Sequence, residues 1–181
     1  MSYPGFEDVL RRVITGDGIS GQSRVIIDGP PAEGIVAEGM GGLLEIWTDA
    51  VAGAIDPRDA ADLGKGQVIL SPPQGGVKIR WFIVEPIPAG VDMEDLRERA
   101  RMRFASFGAG HHVTDQSRHP AMHETPTLDV ICLLKGEASL ILEDGDTRLK
   151  AGQVVIQRAT NHAWVAHGGP ALFLAVLIDR H

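Results

Sequence analysis

The chain has 181 residues, 44% hydrophobic and 23% charged, a profile that predicts one soluble globular domain. Seventeen basic against 24 acidic residues give a net charge of −7, and no dense run of Lys or Arg occurs, so we expect neither a nucleic-acid nor a membrane partner. The longest apolar run, 171–178, is too short to span a bilayer, and the N-terminus lacks a signal-peptide pattern. The single cysteine, Cys132, is typical of a reducing compartment, so the expected location is cytoplasmic.

Glycine and proline divide most of the chain into segments of strand length that are rich in Val, Ile, Leu and Trp. In chain order the predicted strands are 24–28, 43–47, 67–70, 77–85, 128–134, 137–143, 147–150, 153–157, 162–167 and 171–179. Asp144 and Gly145 suit the positive-φ positions of a two-residue hairpin turn, which predicts antiparallel pairing of the strands on either side. Many short antiparallel strands indicate an all-β barrel or double-sheet sandwich.

One segment has a strongly helical pattern and predicts a single substantial helix near 92–106. Its apolar residues recur every three or four positions, as one helical face requires: Met93, Leu96, Ala100, Phe104 and Phe107. Asp92 is a suitable N-cap, and Asp95 and Arg99 have the spacing of a favourable ion pair. The four arginines between positions 92 and 103 are balanced by four acids, which favours a solvated, self-paired surface over an anion-binding patch.

Two motifs with fixed spacing follow the helix. Asp129 is followed seven positions later by Gly136, and Ala151-Gly152-Gln153 leads through a strand and a turn to His162-Ala163-Trp164. This pattern, covering about residues 115–179, resembles the conserved barrel of the cupin superfamily. The resemblance implies an antiparallel double-stranded β-helix, the jelly-roll barrel.

The resemblance also implies how the chain is organised. Residues 1–181 would form a single cupin-type domain, in which 76–181 is the conserved barrel and 1–75 is an extension that adds strands to its edge. The Arg-Val-Ile-Thr-Gly opening at 12–16 is similar to one that precedes such barrels in a group of bacterial one-barrel cupins.

Cupins bind Mn, Fe, Ni, Zn or similar metals through two histidines and a carboxylate of the first motif and one histidine of the second. Carried over by position, the resemblance implies a divalent first-row metal (Fe, Mn, Zn or Ni) on His123, Asp129 and His162. Ala121 stands where the first histidine of the usual pair would be, so His119, the nearest spare imidazole, is the candidate fourth ligand.

Strand alternation supports the same residues independently. Side chains two positions apart share a face, so His162 lies beside Trp164 and Asp129 beside Ile131, and both apolar partners are expected to line an interior pocket. A buried carboxylate needs a partner, and imidazoles and a carboxylate together suit Fe(II), Mn(II) or Zn(II). Purely structural roles stay open, since His162 could cap a strand end and Asp129 could accept backbone N–H bonds from the turn at 125–127.

Other polar residues in this region are expected at the surface. Glu124 alternates with His123 and should point outward. His119 precedes a proline in a predicted loop, and His111 and His112 follow a glycine-rich run, so all three are expected to be exposed, although His119 could turn inward as the fourth ligand.

Two functions are compatible with these patterns. The first is a metal-dependent enzyme, such as an oxygenase, an isomerase or a hydrolase, acting on a small organic molecule. The second is a barrel that binds or senses a small ligand without metal or catalysis. No P-loop or dinucleotide-binding glycine pattern is present. A homodimer is expected, because 24–28 and 43–47 are apolar strands without an evident core of their own.

Overall fold

The computed structural model describes residues 3–37 and 39–180, and within them the fold is antiparallel β-structure with one substantial helix. The predicted all-β, antiparallel class with one substantial helix is confirmed. In chain order the elements are β1 (Arg12–Asp17), β2 (Ser23–Gly29), β3 (Gly34–Ala37), β4 (Gly41–Ala50), β5 (Gly76–Val84), α1 (Met93–Ser106), a 3-10 turn (Gly110–His112), β6 (Thr127–Ile141), β7 (Asp146–Lys150), β8 (Val154–Arg158) and β9 (Ala163–Asp179).

The strands form two sheets. Strands β1 and β2 pair with each other, and the larger sheet has the order β3-β4-β5-β9-β6-β7, with β8 also paired to β6. Strands β6 and β9 each join two of the predicted strands into one long element that pairs with the other along its length. The first part of β6 pairs with β8 and its second part with β7, so the two halves carry different neighbours.

Gly136 is where β6 changes neighbours. The β6–β9 register shifts twice between Leu133 and Glu137, and the φ of Gly136, +86°, lies in the left-handed region that favours glycine. A Cβ at position 136 would lie 2.8 Å from the carbonyl oxygen of Pro170. Glycine therefore allows both the bend and the close approach of β9.

Helix α1 begins after Asp92, whose side chain accepts a hydrogen bond of 2.6 Å from the backbone N–H of Glu94, as predicted for an N-cap. Ala100, Phe104 and Phe107 of the apolar face are buried. No helix in the described residues is both long enough and apolar enough to cross a bilayer.

The prediction of a strand at 67–70 is wrong. Leu70 donates to the carbonyl of Phe107, and the carbonyl of Ile69 accepts from the side chains of Lys78 and Arg80. Since side chains and the end of α1 supply these hydrogen bonds, the segment is extended without pairing to a neighbouring strand.

The predicted hairpin between β6 and β7 forms, but its turn differs from the prediction. Ile141 pairs with Asp146, so four residues rather than two form the connection, and the N–H of Leu142 donates to the carbonyl of Gly145. Neither Asp144 nor Gly145 has a positive φ, because the longer loop does not need it.

The N-terminal segment packs on the same sheet as the C-terminal strands. Tyr3, Phe6 and Leu10 are buried in one cluster with Trp81 of β5 and Leu172 of β9. A second cluster lies on the inner face of the larger sheet and includes residues of β6, β7 and β9. The candidate site opens between this second cluster and α1.

Candidate metal and ligand site

A cavity of about 220 Å³ lies between the inner face of the sheet and helix α1. Its wall is mostly apolar, and Trp164 and Ile131 both line it. The four proposed ligands line the same cavity: His119, His123, Asp129 and His162. Strand alternation thus leads to the cavity wall from both β6 and the start of β9.

His123 and His162 lie side by side because their backbones form an antiparallel bridge. Each accepts a hydrogen bond from the backbone N–H of the other, at 2.9 and 3.0 Å, and the ring centroids are 4.4 Å apart. Phe104 of α1 packs against the His123 ring at 4.8 Å. The helix therefore holds one side of the histidine pair in place.

Both rings have the same protonation pattern. Nδ1 of His123 lies 3.0 Å from the carbonyl oxygen of Ala121, and Nδ1 of His162 lies 2.9 Å from that of Thr160. Only an N–H can donate to a carbonyl, so Nδ1 carries the proton and Nε2 keeps its lone pair. Histidines that bind metals through Nε2 make this kind of contact with the opposite nitrogen.

Both imidazoles are neutral at physiological pH. Burial, reinforced by the neighbouring His162, lowers the pKa of His123 to about 3. Burial likewise lowers the pKa of His162 to about 4, against the effect of its bond to Thr160. No proton therefore has to leave either ring before Nε2 binds a cation.

Asp129 is only 4% exposed, and its Oδ1 atom has no hydrogen-bond partner among the described residues. Burial raises the pKa of this carboxyl to about 6, although a hydrogen bond from Thr127 and the charge of Arg80 act in the opposite direction. The carboxylate is thus ionised at neutral pH at a cost in solvation.

Behind Asp129 lies a buried ion pair that sequence reasoning missed. Arg80 is 1% exposed, borders the cavity and lies 2.8 Å from Glu45, and its Nη2 also donates to the carbonyl of Ile69. The sequence does contain a signal for this ion pair. Arg80 stands between Ile79 and Trp81 in a mostly apolar strand, where a charged side chain needs a buried partner. The charge of Arg80 favours the ionised form of Asp129 and lowers the pKa of its carboxyl, against the effect of burial.

His119 differs from the other two histidines. Its Nδ1 accepts a hydrogen bond of 3.1 Å from the backbone N–H of Ala121, so in the neutral ring Nε2 carries the proton. This Nε2 is buried and has no partner in the described part of the chain. His119 therefore offers the cavity a hydrogen-bond donor and no lone pair for a metal in this arrangement.

The donor atoms of this site suit a metal ion, but the distances between the donor side chains do not. Two free Nε2 lone pairs and an unpartnered carboxylate oxygen are suitable donors for a divalent first-row ion. Across residues 3–37 and 39–180, however, no three His, Cys, Asp or Glu side chains are close enough together to hold one. His123 and His162 are adjacent, but Asp129 does not complete a three-donor cluster with them in the described residues.

The surrounding polar residues divide as follows. Glu124 and His111 are exposed, but the expectation that His112 and His119 are exposed is wrong, since His119 is half-buried and lines the cavity. His112 is 9% exposed, and its Nε2 lies 2.7 Å from the hydroxyl of Ser71. The 3-10 turn directs this ring inward, which a glycine-rich sequence does not predict.

Comparison with known proteins gives short matches in sequence. No family model matches the chain. Phomopsin biosynthesis cluster protein C′ of Diaporthe leptostromiformis is 48% identical over 44 residues, which is 24% of this chain and 23% of that protein. Oryzines biosynthesis cluster protein J of Aspergillus oryzae is 46% identical over 46 residues, 25% of this chain and 26% of that protein. The matched segment spans only about a quarter of these relatives.

Solved structures with a similar arrangement include named cupins. A cupin 2 conserved barrel protein of Salinispora arenicola has 16% identity and a TM-score of 0.36, covering 57% of this chain and 63% of that one. A cupin superfamily protein of Desulfitobacterium hafniense has 14% identity and a TM-score of 0.37, covering 63% and 75%. Within the described residues, the chain itself has an antiparallel β-arrangement.

One further solved structure aligns over nearly the whole length of both chains. A putative ethanolamine utilization protein Q of Salmonella typhimurium covers 94% of this chain and 97% of its own, at 10% identity and a TM-score of 0.41. Likeness at this level concerns architecture alone, and cupin-type folds support many chemistries.

Proposed function

We propose that the chain binds a small organic molecule in the cavity and acts on it with a divalent first-row metal held by His123 and His162, with Asp129 as the third ligand. The observation that carries this proposal is the matched pair of imidazoles, each with Nδ1 donating to a carbonyl and therefore with an unprotonated Nε2. Purely structural histidines would have no need of two unprotonated Nε2 atoms in a cavity that is also lined by a buried carboxylate.

The charges around the site support a bound cation. Asp129 is an ionised, buried carboxylate with one unpartnered oxygen, and a divalent ion would remove the cost of that charge. Such an ion would supply Lewis-acid polarisation of a ligand oxygen.

The chain's own residues would bind and orient the molecule. The Nε2–H of His119 can donate to an oxygen of the ligand, and Phe82 and Trp164 form an apolar wall that excludes water. This arrangement suits an oxygenase-like or isomerase-like reaction on a small molecule. The curated relatives are named for the biosynthesis of phomopsins and oryzines, which supports a small organic molecule over a macromolecule.

A second candidate is a cupin that binds or senses a small ligand without metal. The lack of a three-donor cluster in the described residues favours it, as does the largely apolar wall. The single cysteine supports a cytoplasmic setting for either function, and this location stays a prediction.

Metal analysis and thermal unfolding distinguish the two candidates. A metal present at 100 times its Kd should stabilise the wild type by about 2.7 kcal/mol, and the stabilisation should grow with the logarithm of metal excess. The variant H162A should lose this response, whereas H111A, which changes an exposed histidine, should keep it. A wild type that contains no metal and shows no response would favour the second candidate.

A further inference from the structure

The arginines of α1 fall into two groups that the sequence does not separate. Arg97 pairs with Glu94 at 3.3 Å and Arg101 with Glu98 at 2.7 Å, both on the exposed side of the helix. Arg99 and Arg103 instead border the cavity. They are four residues apart, so their side chains share one helical face. The expected self-paired surface describes only half of these arginines.

Arg103 lacks a counter-charge. Its side chain is half-buried, and the contact it makes is a long hydrogen bond of 3.4 Å from Nη2 to the carbonyl of Ile83. No carboxylate pairs with it or with Arg99 among residues 3–37 and 39–180, and the Asp95–Arg99 pair expected from the spacing does not form there. Burial lowers the pKa of Arg103 to about 10, so the guanidinium is still charged at neutral pH.

The two unpaired arginines lie in the wall of the cavity. Three arginines line it (Arg80, Arg99 and Arg103), and since Arg80 is paired with Glu45, only Arg99 and Arg103 have no carboxylate partner among the described residues. Two carboxylates, Glu85 and Asp129, also line it. Glu85 already accepts a hydrogen bond from the hydroxyl of Tyr3. A desolvated cation without a partner is costly, which favours an anionic ligand at this end of the cavity.

We propose that the cavity takes an organic carboxylate, whose carboxylate group pairs with the guanidinium of Arg103, assisted by Arg99, while its apolar body lies along the wall formed by Phe82 and Trp164. A guanidinium matches a carboxylate in a planar, two-bond geometry, and the wall requires a mainly apolar remainder. The proposal names the ligand class of the cavity described above and rests on its use as a ligand site, but it does not require the metal.

Calorimetric titration of the protein, stripped of metal with a chelator, tests this with a matched pair of probes. Phenylacetate carries the carboxylate, and phenylacetamide has the same shape without the charge. We expect phenylacetate to bind at least about tenfold more tightly, equivalent to about 1.4 kcal/mol. In R103M the two probes should bind equally, whereas R101M, which changes a self-paired arginine of the same helix, should keep the full preference.

Further variants and competitors separate the effect of the Arg103 charge on binding from effects of folding and of metal binding. R103K should retain part of the preference, and thermal unfolding of each variant shows whether it is folded. Equal binding of the two probes to the wild type, no binding of phenylacetate at millimolar concentration, or a preference that survives R103M would each overturn the proposal. Inorganic phosphate that competes as well as phenylacetate would also overturn it, because the site would then select an anion without the apolar body. A missing metal response with an intact phenylacetate preference would contradict the metal and leave this proposal standing.

Discussion

Asp129 carries a charge that burial makes costly in the metal-free cavity. Its folded-state pKa, raised by burial to about 6, exceeds the ordinary value of 3.8. The folded protein therefore holds this proton more strongly than the unfolded chain does. The resulting stability is fully present below about pH 4 and is lost as the pH rises through about 6.

The substitution D129N should remove this pH dependence. In metal-free protein, we expect the free energy of unfolding of D129N to exceed that of the wild type by up to about 2–3 kcal/mol at pH 7.5, and the difference to vanish near pH 4. Chemical denaturation of both proteins across this range measures it. A variant less stable than the wild type at pH 7.5 would show that the carboxylate has a stabilising partner.

Single residues also mark the limit of sequence reasoning about the site. Strand alternation was sufficient to predict that His162 and Trp164 share a wall, because side chains two positions apart must do so. The ring nitrogen that carries the proton depends on carbonyls brought close by the fold, so the difference between His119 and His123 was not predictable. The position of Arg103 in the cavity wall was not predictable for the same reason. Equal numbers of acids and arginines do not show which arginines form ion pairs and which do not.

At the scale of elements, β6 and β9 are the strands that create the site, because each bends and continues past the point where its neighbours change. Their apolar patterns were visible in the sequence as four separate strands. That they join into two was not, because a glycine inside a strand and a glycine in a loop look alike. The segment 67–70 differs in the opposite way, because it was predicted as a strand and is not one. The carbonyl of Ile69 accepts hydrogen bonds from side chains instead of from a neighbouring strand.

Gly136 and Gly152 provide a matched test of this bend. Both have a φ of +86°, but only at Gly136 would a Cβ meet the backbone of Pro170, whereas nothing lies within 4 Å at Gly152. Alanine at either position should cost about 1–2 kcal/mol for the left-handed conformation. Denaturant unfolding should show a clearly larger loss for G136A than for G152A. Equal losses would mean that β9 can shift away from β6 without cost.

At the scale of the whole molecule, the N-terminal third is joined to the C-terminal strands by strand pairing and packing. Strand β4 pairs with β5, and Tyr3 and Phe6 are buried against the same sheet. Strand β3 is left at the edge of the larger sheet with Val36 exposed. An edge with an exposed apolar residue is open to pairing with another chain.

We propose that two copies associate through these N-terminal strands. Light scattering at micromolar concentration should give twice the chain mass of 19.4 kDa. The charged variant V36K should shift the protein toward monomer, and I156K, at an exposed apolar residue of β8, should not. A wild-type monomer, or dissociation by I156K alone, would contradict the proposal.

Three histidines line the cavity in two protonation patterns. Nε2 is unprotonated in His123 and His162 and protonated in His119. Long-range ¹H–¹⁵N spectra of the imidazole rings measure this directly, with assignment by substituting each histidine in turn. We predict Nδ1–H tautomers for His123 and His162 that stay neutral down to about pH 5, since their pKa values are about 3 and about 4, and the Nε2–H tautomer for His119. An Nε2–H tautomer at His123 or His162, or ionisation of either ring near pH 6.5, would contradict the account.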